Sequence, residues 1–243
     1  MATLILVRHG RTTANASGTL AGRTPGVRLD STGQQQVARA GARLAQVPLA
    51  LVVTSPLERC RQTTRALLAG REDEPPVVTD RGITECDYGE WQGRAIKDLA
   101  GEKLWKVVQT QPSAAAFPGG ETMTAMQARS VATVRRRDAE VEREHGPHAV
   151  WVAVSHGDII KSVLADALGM HLDLFQRLHV DPASISIVRY TESRPYVLAT
   201  NSHEGDLSWL RPPADTGTET PAADTDAVVG GGAGPAPAGA AGS

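Results

Sequence analysis

The chain reads as an α/β protein, a three-layer α/β/α sandwich built on a mostly parallel (mixed) sheet. Two observations predict it. Continuous apolar runs of strand length recur at Thr3-Leu4-Ile5-Leu6-Val7, Ala50-Leu51-Val52-Val53 and Ala149-Val150-Trp151-Val152-Ala153-Val154. Stretches with helical spacing of apolar residues fall between them. An unbroken apolar run suits a strand covered by helices on both faces, whereas a half-exposed strand alternates.

After the first run, Asp30 or Ser31 can cap a helix carrying Val37, Ala40, Gly41 and Leu44 on one face. After the second, a helix starts near Pro56-Leu57 and carries Thr64, Leu67 and Leu68. A long helix starts near Glu121-Thr122 and runs through Met126, Arg129, Val131 and Val134. Beyond the third run, Ser184-Ile185-Ser186-Ile187-Val188 and Tyr196-Val197-Leu198-Ala199 read as two strands. The short connection between them makes an antiparallel pair.

The folded unit is expected to be one domain over residues 1–211. From Pro212 to Ser243 the chain turns to Pro, Ala, Gly, Thr and Asp, with no Lys or Arg. Such a segment buries too little apolar surface to offset its ordering entropy and is expected to be a disordered acidic tail. The tail holds four acids, Asp215, Glu219, Asp224 and Asp226, so a whole-chain charge of −2 becomes +2 for residues 1–211. That near-neutral balance argues against a general nucleic-acid binder. No run approaches membrane-spanning length, and Met1 leads straight into a strand-like segment without a secretory pattern. The expectation is a cytoplasmic monomer or homodimer. Cys60 and Cys86 make neither a disulfide framework nor a zinc pattern and read as reduced, partly buried thiols. A redox switch is the alternative, because each follows a candidate site residue.

The chemistry lies where the apolar runs end. The first ends in Arg8-His9-Gly10, the second in Thr54-Ser55-Pro56 with Arg59 one turn later, the third in Ser155-His156-Gly157. Ligands of open α/β sheets bind beyond the carboxyl ends of the strands. If these strands are parallel neighbours, two arginines and two histidines converge there. Arginine's paired donors match phosphate oxygens, and helix N-termini add further donors. A histidine adds what a passive anion site lacks: a nitrogen that attacks phosphorus, held neutral by neighbouring cations. A leaving oxygen also needs a proton. Glu85 lies in the right loop, with Asp87 and Glu90 as rivals that position does not separate.

Taken together, these residues resemble the histidine phosphatase superfamily, the group that includes cofactor-dependent phosphoglycerate mutase. Arg8 through Asn15 is similar to its RHGxTxxN opening. Gly22-Arg23, Leu29 and Thr32 through Gln36 are similar to the stretch that follows, and Thr54 through Thr63 to its SSPLxRAxQTA. Glu85 through Gly93 is similar to its E…GxWEG, with Gln92 in place of the usual Glu, and Val154 through Gly157 to its second histidine motif. The resemblance covers residues 3–200 and implies a phosphoglycerate mutase-like fold. It implies His9 as the phosphorylated nucleophile and Arg8, Arg59, His156 and Asn15 as phosphate ligands. It implies Glu85 as proton donor and then base for water, with His156 part of the catalytic set. No metal and no cofactor are implied. Cys60 stands where the family usually has alanine, which reads as a packing change.

The expected partner is a small phosphorylated molecule. Mutase-type members share an acid-His-Tyr-Gly-x-Leu-Gln-Gly stretch and a long insertion with paired arginines. Here no histidine precedes Tyr88, and residues 94–120 are short, with Arg94, Lys97, Lys103 and Lys106 but no arginine pair. Hydrolysis is therefore favoured over phosphomutase chemistry, although Gln92 is mutase-like. A non-catalytic phosphate-binding module is disfavoured because every expected catalytic residue is present. Arg23, Arg28, Lys97 and Lys103 hint weakly at an anionic substrate. Trp91 is the tryptophan best placed to wall the cleft.

Overall fold

The structure is a computed structural model that describes residues 2–207 and 210–211. The expected tail over 212–243 lies outside the described residues. Strand β1 (Thr3–Arg8) is followed by a one-turn helix α1 (Thr13–Ala16) and by α2 (Ser31–Leu44). Then come β2 (Leu51–Thr54), α3 (Glu58–Leu68) and β3 (Val77–Thr79). Two short helices, α4 (Ile96–Leu99) and α5 (Lys103–Thr110), precede the long α6 (Met123–His145). Strand β4 (Val150–Ser155), helix α7 (Gly157–Ala167) and the hairpin of β5 (Ile185–Tyr190) and β6 (Pro195–Ser202) complete the described fold.

The six described strands form one sheet in the order β3-β2-β4-β1-β5-β6. The first four are parallel; at one side β5 runs antiparallel to β1, and β6 antiparallel to β5. The expected mixed sandwich is what forms. Side-chain alternation divides the core into two layers. Leu4, Leu6, Trp151 and Ala153 face α6 and α7 through Met126, Val134, Ile159 and Val163. Ile5, Val7, Val152 and Val154 face α2 and α3 through Val37, Leu44, Cys60 and Leu67. Strands buried on both faces explain why the runs are continuous rather than alternating.

The capping chemistry holds, and Asp30 is the cap of α2: its Oδ1 accepts from the Gly33 amide at 2.7 Å. Thr122 caps α6 through the Ala125 amide at 3.0 Å. Helices α4 and α5 and the three-residue β3 lie outside the expected elements; they are too short for a periodic signal.

Candidate active site

Strand register builds the site. In the β1–β4 ladder Arg8 pairs with Ser155, so His9 and His156 leave adjacent strands at the same level. Strand β2 pairs Thr54 with Val154, which puts Ser55 level with Ser155 and Arg8, one residue before the two histidines. The three strand ends are thus parallel neighbours, and the expected convergence occurs. The His9 and His156 rings lie 5.3 Å apart, edge toward face. Gly10 lets the first loop turn flat against α2: a Cβ there would meet the Gly33 carbonyl oxygen at 2.6 Å and Val37 at 2.7 Å.

His9 is buried and its tautomer is determined. Its Nδ1 sits 2.8 Å from the Gly10 carbonyl oxygen, which can only accept, so Nδ1 carries the hydrogen. The lone pair is then on Nε2, which accepts from Arg59 Nε at 3.2 Å. Burial, followed by the charges of Arg59 and Arg8, holds His9 well below the usual imidazole range. The ring is neutral with its nucleophilic nitrogen toward the cleft.

Arg59 is buried in the first turn of α3, and its Nη2 donates to the Gly22 carbonyl at 2.8 Å. Arg8, at the end of β1, donates from Nη1 to the Val180 carbonyl at 2.6 Å, while its buried Nε has no partner among the described residues. His156 is fully buried behind His9. Its Nε2 meets Ser55 Oγ at 2.7 Å and its Nδ1 lies 3.8 Å from Glu85 Oε2. Burial and the charge of Arg59 also depress its proton affinity.

The structure separates the three acids of the Glu85 loop. Glu85 is buried and lines the cleft, and burial together with the Asp158 carboxylate pushes its pKa up to about 7. Asp87 pairs with Arg23 at 3.2 Å and accepts from the Gly89 amide. Glu90 is exposed and does not line the cleft. The Glu85 backbone is held from outside: its carbonyl accepts from Arg23 Nε at 2.9 Å and Arg129 Nη2 at 3.1 Å. Both arginines are gathered by Glu121, which accepts from Arg23 at 3.0 Å and also pairs with Arg129. Sequence reasoning missed this scaffold, because its members come from three distant segments.

The cleft has a volume of about 210 Å³ and is walled by Arg8, His9, Arg59 and Glu85, with Tyr88 and Asp158 beyond them. Tyr88 and Asp158 had no sequence-level role; the one available signal for Asp158 was its place two residues after His156. Asn15 reaches the cleft, but it is exposed and its Oδ1 is spent on the Thr12 amide and hydroxyl in a capping box. Two expectations are corrected. Arg23 and Arg28 do not signal an anionic substrate, since Arg23 is bound to Asp87 and Glu121 and Arg28 to Glu58 at 2.8 Å. Lys97 and Lys103 are exposed outside the cleft lining. Trp91 is core, not cleft wall: it is buried, stacks on Trp105 and donates to Glu102 at 3.1 Å. The mutase-like Gln92 is also a structural part, its Oε1 accepting from the Arg23 amide beside Gly22.

Cys60 and Cys86 are free and fully buried rather than partly buried. Cys60 Sγ packs 3.5 Å from His156 Nε2, and burial pushes its thiol up to about 12. A buried thiol held protonated is a weak nucleophile.

The profile of the histidine phosphatase superfamily (branch 1) matches residues 4–203, and the chain belongs to that family. It is 34% identical over 195 residues to the bifunctional protein Rv2228c of Mycobacterium tuberculosis, covering 77% of this chain and 50% of that one. The chain thus spans about half the length of that relative. It is 29% identical over 196 residues to the 2,3-bisphosphoglycerate-dependent phosphoglycerate mutase 2 of Gloeobacter violaceus, covering 77% and 81%. Among solved structures, the α-ribazole phosphatase of Shigella flexneri superposes with a TM-score of 0.72 at 27% identity, covering 83% of this chain and 96% of that one. No helix among the described residues is long and apolar enough to cross a membrane.

Proposed function

We propose that the protein is a metal-independent phosphatase that hydrolyses a small phosphate monoester through a phosphohistidine at His9. The observation that carries this reading is the pairing of two opposite proton states. The His9 Nε2 lone pair faces the cleft between buried Arg59 and half-buried Arg8, and Glu85, pushed up to about 7, keeps a protonated fraction at neutral pH. A nucleophile without a proton and an acid with one are what the first step consumes.

In that step Nε2 bonds to phosphorus as the ester P–O bond breaks, and the Glu85 proton passes to the leaving oxygen. Arg59 Nε turns from His9 to a phosphoryl oxygen, and Arg8 Nε, unpartnered among the described residues, takes another. His156 serves as a third donor. With Ser55 Oγ–H on its Nε2, its Nδ1–H faces the Glu85 side of the cleft. Asn15 contributes through Nδ2, its Oδ1 being committed. Glu85, now a carboxylate, takes a proton from water as water attacks phosphorus, and the N–P bonding pair returns to His9. The two arginines and oriented donors neutralise the phosphoryl charge, which is the main demand of the reaction.

The phosphoglycerate mutase relative supports a second reading, transfer to a sugar-acid hydroxyl instead of water. Both follow from one assay. Phosphate release from a panel of monoesters, with and without EDTA, is run beside interconversion of phosphoglycerates primed by 2,3-bisphosphoglycerate. Phosphate release that survives EDTA supports hydrolysis; primed interconversion outpacing release overturns it.

A further inference from the structure

The proposed phosphatase reading leaves open what the phosphate is attached to, and the inference below rests on that reading. Among the described residues lining the cleft, the cations are Arg8 and Arg59, both at the phosphoryl end. The remaining wall is uncharged or acidic. Leu20, Ala21 and Ile96 supply apolar surface, Thr12 and Thr19 hydroxyls, and Asp158 a carboxylate. Of the cations that flank this wall in sequence, Arg11 pairs with Asp30, Arg23 is bound to Asp87, Glu121 and the Glu85 carbonyl, and Lys97, next to Ile96, is exposed outside the lining.

Asp158 is built into place. It lies in the first turn of α7, where the helix N-terminus stabilises a carboxylate. Its Oδ2 accepts from the Tyr88 hydroxyl at 2.7 Å. Its Oδ1 has no protein donor among the described residues. Tyr88 is itself buried and wedged edge-on to Phe117, so the pair cannot swing away without opening the core.

We propose that Asp158, held by Tyr88, is a specificity-determining residue. It accepts a hydroxyl or amine of the leaving group through Oδ1 and repels leaving groups that carry a carboxylate or second phosphate. The substrate class is therefore a phosphate monoester of an uncharged or cationic alcohol with an apolar face, which packs on Leu20 and Ile96. A sugar-acid phosphate meets a negative charge and, among the described residues lining the cleft beyond the phosphoryl end, no cation, so primed mutase chemistry is disfavoured by the same wall. Like charges juxtaposed in a cleft of low dielectric reject the wrong ligand more strongly than a good contact selects the right one.

The test uses two near-isosteric esters, 3-(hydroxymethyl)phenyl phosphate and 3-carboxyphenyl phosphate, and reads the ratio of their kcat/KM values. Wild type favours the hydroxymethyl ester by about 10-fold or more beyond the ratio of their spontaneous reactivities. Asp158→Asn lowers that preference at least about 5-fold. The substitution also alters the proton affinity of Glu85, but that change scales both esters together and cancels in the ratio. Ile96→Lys, placed on an exposed rim residue, lowers the preference by adding a cation without touching Glu85. Equal turnover of the two esters by wild type, or an unchanged ratio in both variants, overturns the proposal while the phosphatase reading stands. If wild type hydrolyses neither ester, the phosphatase reading falls, and this inference falls with it.

Discussion

Arg59 Nε lies 3.2 Å from His9 Nε2, so the cation that would grip the phosphoryl group also covers the lone pair that would attack it. The contact keeps His9 deprotonated and aimed while the cleft is empty of substrate. It also makes Arg59 hard to replace: lysine offers a point charge where a planar fork must reach both His9 and the Gly22 carbonyl. Arg59→Lys is expected to lose about 100-fold or more in kcat/KM, with weaker inhibition by inorganic phosphate. Steady-state kinetics with phosphate as inhibitor check both. Retention of wild-type kcat/KM in the lysine variant would detach Arg59 from phosphate binding.

The pH profile carries one limb near neutrality. His9 and His156 are held well below the usual imidazole range and are neutral at neutral pH. Glu85, pushed up to about 7, is the acid, so kcat/KM for an alkyl phosphate falls as pH rises through that value. Glu85→Gln removes the limb and lowers kcat about 100-fold or more for poor leaving groups, and less for aryl esters.

The same shift has a sign for stability. The folded state binds the Glu85 proton more tightly than the unfolded chain does, whose carboxyl titrates in the ordinary range. Between the unfolded value and about 7, stability therefore falls as pH rises. Glu85→Gln is expected to raise Tm more at pH 8 than at pH 5. Thermal melts of both proteins at the two pH values decide it; an equal shift at both would mean the carboxyl is not strained by burial.

The scaffold behind Glu85 is testable apart from chemistry. Arg129 donates to the Glu85 and Gly82 carbonyls and pairs with Glu121. Arg129→Met is expected to lower kcat by about 10-fold with KM nearly unchanged, because the acid loses its position and the phosphate ligands do not. A loss confined to KM would place Arg129 in binding instead.

Both thiols are expected to be silent in the native protein. Cys60 packs under His156 and Cys86 under the Glu85 loop, each fully buried and pushed upward by burial. A thiol reagent should titrate none natively and two in guanidinium. Cys60→Ala should leave kcat within about 3-fold, since the sulfur packs and does no chemistry. Rapid native labelling of one thiol would revive the redox reading.

Much of this site is written locally in the chain. Strands buried on both faces give continuous apolar runs, and the residues that end them are the ones a parallel sheet brings together. Arg8, His9, Arg59 and His156 were legible for that reason. Three carboxylates within six residues were not separable, because what singles out Glu85 is burial, a property of packing by α6 and α7 rather than of spacing. The charges of Arg23 and Arg28 misled because their partners, Asp87, Glu121 and Glu58, lie far along the chain. The Thr12-x-x-Asn15 capping pattern is also local, and it commits Asn15 Oδ1 while Asn15 still lines the cleft. Arg129, in mid-helix, carries no sequence signal at all.

The central claim is that His9 Nε2 takes the phosphoryl group. Wild-type protein mixed with a radiolabelled phosphate monoester and quenched within milliseconds in alkali should retain label that acid then releases, on a peptide containing His9. His9→Ala should retain none. Equal labelling of the two proteins, or label that survives acid, would contradict a phosphohistidine at this residue.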